Sequence, residues 1–219
     1  MSALIKKSTS LVAAVTMDSS KKSTTVSSSN TETLIVCLDC SGSMRDNIEG
    51  QKTKMRVAIE AAIGLIQSCS FLSHVGAVAF HDTPAEVLQP STGRGTLVEA
   101  INGFNKHEGG TQFTPALRSA LSAVAAHKWG SIKRIIFMSD GEDLGSPFEL
   151  DGVVEQCAAS KVIIDTVMFG HSPIGEETLK KMSSKTGGVF CLAKDAASLR
   201  KTFLSLEAGA RGLLGKGKS

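Results

Sequence analysis

Residues 33–39, TLIVCLD, form an unbroken apolar run that ends on a carboxylate. A strand covered on both faces reads this way, because neither set of alternating side chains meets water. Farther on, Met55, Ala58, Ile59, Ala62, Ile63 and Ile66 recur at helical spacing. They predict a helix over 52–69 with a single apolar stripe. HVGAVAF (74–80) predicts a second strand, and AEVLQ (85–89) a short third one, at an edge and antiparallel. The pattern of 94–104 is helical. Thr114 is a candidate N-cap with Pro115 at the start of a helix whose buried face is Leu117, Ala120, Leu121 and Val124. A strand over 132–139, a helix over 149–160 and a strand over 161–169 follow. A helix over 175–186 stops before Gly187 and Gly188, as a C-cap predicts. The last strand is 188–193. Asp195 suits the N-cap of a final helix that packs through Leu199, Phe203 and Leu206.

Strands and helices that alternate in this order predict an α/β fold: a mostly parallel sheet with helices on both faces. Crossovers in such a sheet are right-handed, and ligands collect beyond the carboxyl ends of the strands. Residues 1–32 read as a flexible Ser/Thr/Lys-rich segment, 33–206 as the folded domain, and 207–219 as a basic tail. Within the first segment, SLVAAVTM (10–17) suits a short helix or an added strand equally well.

Composition narrows the function classes. The chain has 219 residues, of which 42% are hydrophobic and 21% charged, enough to bury a full core. The net charge of +3 sits in the two ends, which leaves the body close to neutral. That argues against a nucleic-acid face, which needs clustered basic residues. No run approaches the roughly 18 apolar residues of a membrane span. The LVAAV stretch after Lys6 and Lys7 falls short of the about 7–15 residues of a secretory core. Five cysteines, an odd number with Cys37 inside a strand, fit reduced thiols and a cytoplasmic protein. Cys37 and Cys40 match C-x-x-C, but positions three apart on a strand face opposite ways, which disfavours redox or zinc chemistry.

The candidate chemistry begins where the first strand ends. Asp39, Ser41 and Ser43 alternate, so their oxygens point the same way in an extended turn. Gly42 lets the backbone curl between the serines. One carboxylate and two hydroxyls make a hard oxygen site that suits Mg²⁺, Mn²⁺ or Ca²⁺. Three ligands are too few, and other strand ends must contribute. Thr111 follows two glycines just ahead of a helix, and Asp140 follows the strand at 132–139. Taken singly, Ser41 and Ser43 also suit a helix N-cap, and Asp140 suits a turn.

D-x-S-x-S at Asp39, Ser41 and Ser43, a threonine in a Gly-rich loop at Thr111, and S-D-G at Asp140 together resemble the metal-ion-dependent adhesion site (MIDAS) of von Willebrand factor A-type (vWA) domains. The likeness covers about 33–206. It implies a Rossmann-like, doubly wound, six-stranded sheet with one antiparallel edge strand. It also implies that Ser41, Ser43 and Thr111 bind the metal directly or through water, while Asp39 and Asp140 hold metal-bound waters. An Asp or Glu of a partner protein completes the shell. The function this implies is a non-enzymatic, Mg²⁺-dependent interaction module, an adaptor or subunit of a larger complex, with an AAA+ ATPase among the candidate partners. The family likeness also implies a last helix, 195–206, that shifts with the metal shell.

A Mg²⁺-dependent phosphoester hydrolase and a secreted adhesin are the alternatives. The first lacks a general base, a second carboxylate-rich metal site and the phosphate loop G-x-x-x-x-G-K-[ST]. Among the remaining polar residues, His74, His81, His127 and His171 read as solvated or core-edge side chains, and His107 as a possible rim residue. Glu142 and Asp143 read as loop carboxylates that could tune the site, and Trp129 as a packing residue at a helix end.

Overall fold

The central strand Glu32–Asp39 (β1) is buried at every position. Its even and odd residues feed two separate cores. Leu34, Val36 and Leu38 pack with the helices on one face, and Ile35 and Cys37 with those on the other. The structure is a computed structural model that describes residues 31–104 and 109–215. The expectations for 1–30 and for His107 lie outside the described residues.

The other strands are Asn47–Glu49 (β2), Lys52–Thr53 (β3), His74–Phe80 (β4), Pro84–Ser91 (β5), Ile132–Ser139 (β6), Val162–Phe169 (β7) and Phe190–Ala193 (β8). The helices are Lys54–Ser68 (α1), Arg94–Asn102 (α2), Phe113–Ala126 (α3), Pro147–Ala159 (α4), Pro173–Thr186 (α5) and Ala196–Gly215 (α6). Six strands form one sheet in the order β5-β4-β1-β6-β7-β8. β5 runs antiparallel to β4, and all other pairs are parallel. The predicted fold class therefore holds. The chain steps from β1 outward to β4 and β5, then returns to β6 on the other side of β1. Strand order reverses at β1, so the crevice where such folds bind ligands opens beside Asp39.

Local chemistry explains where the elements differ from expectation. β2 and β3 form a small hairpin that turns at Gly50, whose φ is +60°. Its sequence is too polar to show strand alternation. The hairpin delivers Thr53 as the N-cap of α1, whose hydroxyl accepts from the Arg56 N–H at 3.2 Å. α4 and α5 both start on a Ser-Pro pair, with Ser146 and Ser172 as caps and the proline in the first turn.

Thr114 does not cap α3; it lies inside the first turn. The cap comes from elsewhere: Asp143 Oδ1 accepts from the Phe113 N–H at 2.9 Å. A carboxylate borrowed from another loop replaces the local hydroxyl, which a reading of neighbouring residues cannot find. α6 begins after Asp195 as expected, with Asp195 Oδ1 accepting from the Ser198 N–H at 2.7 Å. It then runs past 206 to Gly215, into the stretch read as a basic tail. Trp129 does not pack; it is 63% exposed.

Beneath α6, away from the ligand crevice, Arg134 on β6 is 4% exposed. Its guanidinium donates to Asp165 on β7, to Glu32 on β1 at 3.4 Å and to the Leu206 carbonyl of α6 at 2.8 Å. Burial pushes the Glu32 carboxyl above its ordinary value of 4.5, although the Arg134 charge opposes the rise. Removing one partner of a buried ion cluster leaves the others uncompensated.

Arg134→Ala is therefore expected to cost about 3–5 kcal/mol of unfolding free energy in urea titrations. The sign for Glu32 follows from linkage. Its folded form holds a proton more tightly than its unfolded form, so its contribution to stability falls as pH rises above 4.5. The stability of Glu32→Gln relative to the parent should rise over the same range in pH-resolved unfolding.

Candidate functional site

Asp39 ends β1 with no exposed surface. Both of its oxygens are engaged. Oδ1 accepts from the Ser41 N–H at 2.8 Å, and Oδ2 accepts from the Ser139 hydroxyl at 2.6 Å. Ser139 is the last residue of the neighbouring strand β6, and its Oγ also accepts from the Gly141 N–H at 3.1 Å. The two strand ends are thus tied together through one buried carboxylate. Burial pushes the Asp39 carboxyl up to about 6, against the hydrogen bonds from Ser139 and Ser41, which lower it.

After Asp39 the chain enters a single turn of 3-10 helix, Gly42–Arg45. Ser41 and Ser43 approach each other at 3.2 Å between hydroxyl oxygens, and Ser43 Oγ donates to Asp140 Oδ1 at 2.7 Å. Neither serine caps the first helix, since Thr53 does so. Asp140 is not merely a turn former either. Its second oxygen accepts from Lys54 Nζ at 2.7 Å, and Lys54 also reaches Asp46 at 3.4 Å. Partial burial would lower the lysine pKa, yet the two carboxylates outweigh it and hold the ammonium above its ordinary range.

Thr111 arrives on the loop 109–112, which is pinned at several points. The Gly109 carbonyl accepts from the Gly42 N–H at 3.3 Å, and the Gly110 N–H donates to Asp82 Oδ1 at 2.8 Å. A side chain on Gly109 would collide with Asp82, and its φ of +72° excludes most residues anyway. The Thr111 carbonyl accepts from the Leu144 N–H at 2.8 Å. On the Asp140 side, a Cβ placed on Gly141 would lie 4.0 Å from the Thr111 hydroxyl. All five residues expected from the sequence, Asp39, Ser41, Ser43, Thr111 and Asp140, therefore come to one rim. A hydrogen-bond chain joins four of them, and backbone bonds tie in the Thr111 loop.

Sequence reasoning missed the residues that hold this rim. Lys54 at the start of α1 and Asp82 after β4 were not singled out, and Asp143, read as a loop carboxylate that could tune the site, proves to hold the backbone at the start of α3. Their one shared signal is a charged residue within a few positions of a strand end or helix start. Asp143 Oδ1 accepts from the Gly145 N–H at 3.0 Å as well as from Phe113. Glu142 accepts from the Ser172 hydroxyl at 3.0 Å. Both are braces between loops rather than loose carboxylates.

The histidines lie elsewhere or serve the backbone. The His74 and His127 rings meet at a 51° tilt with centroids 4.5 Å apart, and burial lowers the pKa of both. His81 Nδ1 accepts from the Asp82 N–H, and His171 sits 3.3 Å from Glu176. All five cysteines are free, with Cys37 and Cys40 in opposite cores.

The donor set is entirely oxygen: two carboxylates and three hydroxyls. One ammonium already rests on it, so the rim attracts positive charge. These residues fit a hard divalent cation and offer nothing to a soft one. No group of three or more His, Cys, Asp and Glu side chains that could hold a metal forms among the described residues.

Comparisons with known proteins agree with this architecture. Residues 34–142 match the von Willebrand factor type A domain family. Calcium-activated chloride channel regulator 1 from Homo sapiens is 31% identical over 169 residues, which is 74% of this chain and 17% of that protein. The Equus caballus counterpart is likewise 31% identical over 171 residues, with the same coverage. The chain thus spans under a fifth of the length of these relatives. They lend no support to the expectation of a cytoplasmic protein.

A von Willebrand factor type A structure from Catenulispora acidiphila superposes with a TM-score of 0.72 at 24% identity, over 84% of this chain and 43% of that one. BatB from Bacteroides thetaiotaomicron gives 0.70 at 15%, over 83% and 98%. No helix among the described residues is long and apolar enough to cross a membrane. Sheet order, flanking helices and the match over 34–142 together give this chain a von Willebrand factor type A fold, that of a family of protein-interaction modules.

Proposed function

We propose that this domain binds a partner protein through a divalent cation held by Asp39, Ser41, Ser43, Thr111 and Asp140. The observation that carries the reading is the convergence of these oxygens, from three loops, on one rim at the point where strand order reverses. Mg²⁺ fits the donor set, and Mn²⁺ or Ca²⁺ would fit it too. When bound, the cation supplies a Lewis-acidic point of attraction for an Asp or Glu carboxylate of the partner.

The chain's own residues prepare that point. Ser139 and the Ser41 N–H fix Asp39, Ser43 orients Asp140, and Asp82 and Gly42 hold the Thr111 loop. Three of the five candidate ligands are neutral hydroxyls, and Asp39 and Asp140 would act through metal-bound waters, so no protein anion would touch the ion directly and it would keep its pull on an external carboxylate. Lys54 neutralises some of the carboxylate charge and competes for Asp140.

Binding rather than catalysis fits this set of residues. Two carboxylates and three hydroxyls around one cation suit the capture of an acidic side chain, whereas a two-metal hydrolase would need a second carboxylate-rich centre. We extend the proposal to an adaptor role within a larger assembly, for which an AAA+ ATPase is a candidate by analogy with the family. The cytoplasmic setting rests on the free thiols alone.

Mg²⁺ at about 100 times its Kd should stabilise the folded chain by ~2.7 kcal/mol, read as a rise in melting temperature. Thr111→Ala and Asp39→Ala should lose that rise. Asp39→Asn removes a buried charge, so it should melt a few degrees above the parent without metal and fail to respond to metal. A different outcome is expected at the lysine. Lys54→Met should tighten Mg²⁺ binding by up to about fivefold in calorimetric titration, because a partly exposed ion pair that competes with the metal is worth up to ~1 kcal/mol.

A further inference from the structure

α4 and α5 open with the same local design, Ser-Pro followed by a large apolar residue: Ser146-Pro147-Phe148 and Ser172-Pro173-Ile174. Serine caps the helix and proline takes the first turn, which leaves the third residue pointing away from the core. Phe148 is 87% exposed and Ile174 61%. Leu144, on the loop between Asp140 and α4, is 69% exposed. Leu144 on this loop and Phe148 and Ile174 in the first turns of α4 and α5 thus expose three large apolar side chains at the end of the sheet that carries the rim.

These residues adjoin the candidate metal rim. The Leu144 N–H donates to the Thr111 carbonyl at 2.8 Å. Gly175, one residue past Ile174, packs so closely on the Gly141 carbonyl that a Cβ there would lie 2.4 Å from it. The apolar patch is therefore braced against the same loops that carry Thr111 and Asp140.

Between α4 and α5 a cleft of about 200 Å³ is lined by Pro147, Leu150, Ile174 and Met182. Its polar lining is Asp143, Asp151, Glu177, Thr178 and Lys181, three carboxylates against one ammonium. Lys181 is already committed to Asp151 at 2.6 Å, and Lys185 reaches the same carboxylate at 3.4 Å, which leaves Asp143 and Glu177 as the negative charge of the wall. The cleft thus has an apolar floor and a negative wall.

We propose that this surface is the second half of the partner site. It takes a segment of another protein that carries an Asp or Glu for the cation, then a large apolar side chain for the Pro147–Ile174 cleft, then a basic residue for the wall. The inference rests on the metal reading above. The cation supplies attraction for any accessible carboxylate, and the apolar cleft supplies the discrimination that a lone carboxylate contact lacks. Exposed Phe148 and Leu144 bury apolar area around the contact and exclude water from it.

Selection of a phage-displayed random peptide library on the full chain, in Mg²⁺, tests the proposal. Enriched peptides should share an acidic residue with a large apolar residue and a basic one on a fixed side of it. Synthetic copies should lose binding in chelator and should bind Phe148→Ser/Ile174→Ser at least about tenfold more weakly. The double variant should keep the parent's melting temperature and its Mg²⁺-induced rise, since both side chains are exposed; a loss confined to peptide binding then supports the proposal.

Peptides that need Mg²⁺ and an acid but show no apolar preference, and bind the double variant as well as the parent, overturn the cleft and leave the metal reading intact. Apolar peptides that bind equally in chelator but fail on the double variant overturn the metal reading and support the cleft alone. Enrichment of nothing, or of peptides indifferent to both changes, overturns the proposal.

Discussion

One carboxylate shut off from solvent sets the terms for the whole rim. Asp39 is carried there by a strand buried on both faces, so it has nowhere to turn for water. Its two oxygens are instead met by Ser139 from the neighbouring strand and by the backbone of its own turn. An ionised group in such a place is costly unless positive charge comes to it. The position of Asp39 at the reversal of strand order means that three separate loops can bring hydroxyls and a second carboxylate to the same point. The fold supplies the convergence, and the buried carboxylate is the ground on which we propose a cation there.

The loops are braced with equal care, and mostly by carboxylates. Asp82 grips the backbone of the Gly109–Gly110 turn, Asp143 caps the helix after Thr111, and Glu142 takes the cap serine of α5. Each acts on backbone donors or a hydroxyl rather than on a cation. The negative character of this end of the sheet is thus partly structural. Lys54 is the exception, a positive charge built into the rim, resting on Asp140.

Most of the fold was legible because its signals are local. The unbroken run of β1, the apolar stripe of α1 and the Gly187 stop of α5, whose φ is +74°, each follow from a few adjacent residues. The five rim residues were legible as well, because D-x-S-x-S, the Gly-rich threonine loop and S-D-G are short patterns. What the sequence hid was contact between distant segments. The α3 cap comes from Asp143, thirty residues away, and Thr114 was the wrong local substitute. The β2–β3 hairpin carries one apolar residue, Ile48, among polar ones, too short a pattern to show alternation. α6 continues beyond its last core contacts, where periodicity gives no stop signal. Trp129 looked like a packing residue by type alone, and only the structure places it outside. The Ser-Pro-apolar repeat at 146–148 and 172–174 was readable, but its exposure was not.

The central claim is that the five oxygens at positions 39, 41, 43, 111 and 140 share one ion. Anomalous scattering from crystals grown with Mn²⁺ tests it most directly. The account predicts one strong anomalous peak at this rim, bounded by Ser41, Ser43 and Thr111, with Lys54 drawn off Asp140. A manganese peak at another place on the chain, or none at the rim while Lys54 stays on Asp140, would contradict it.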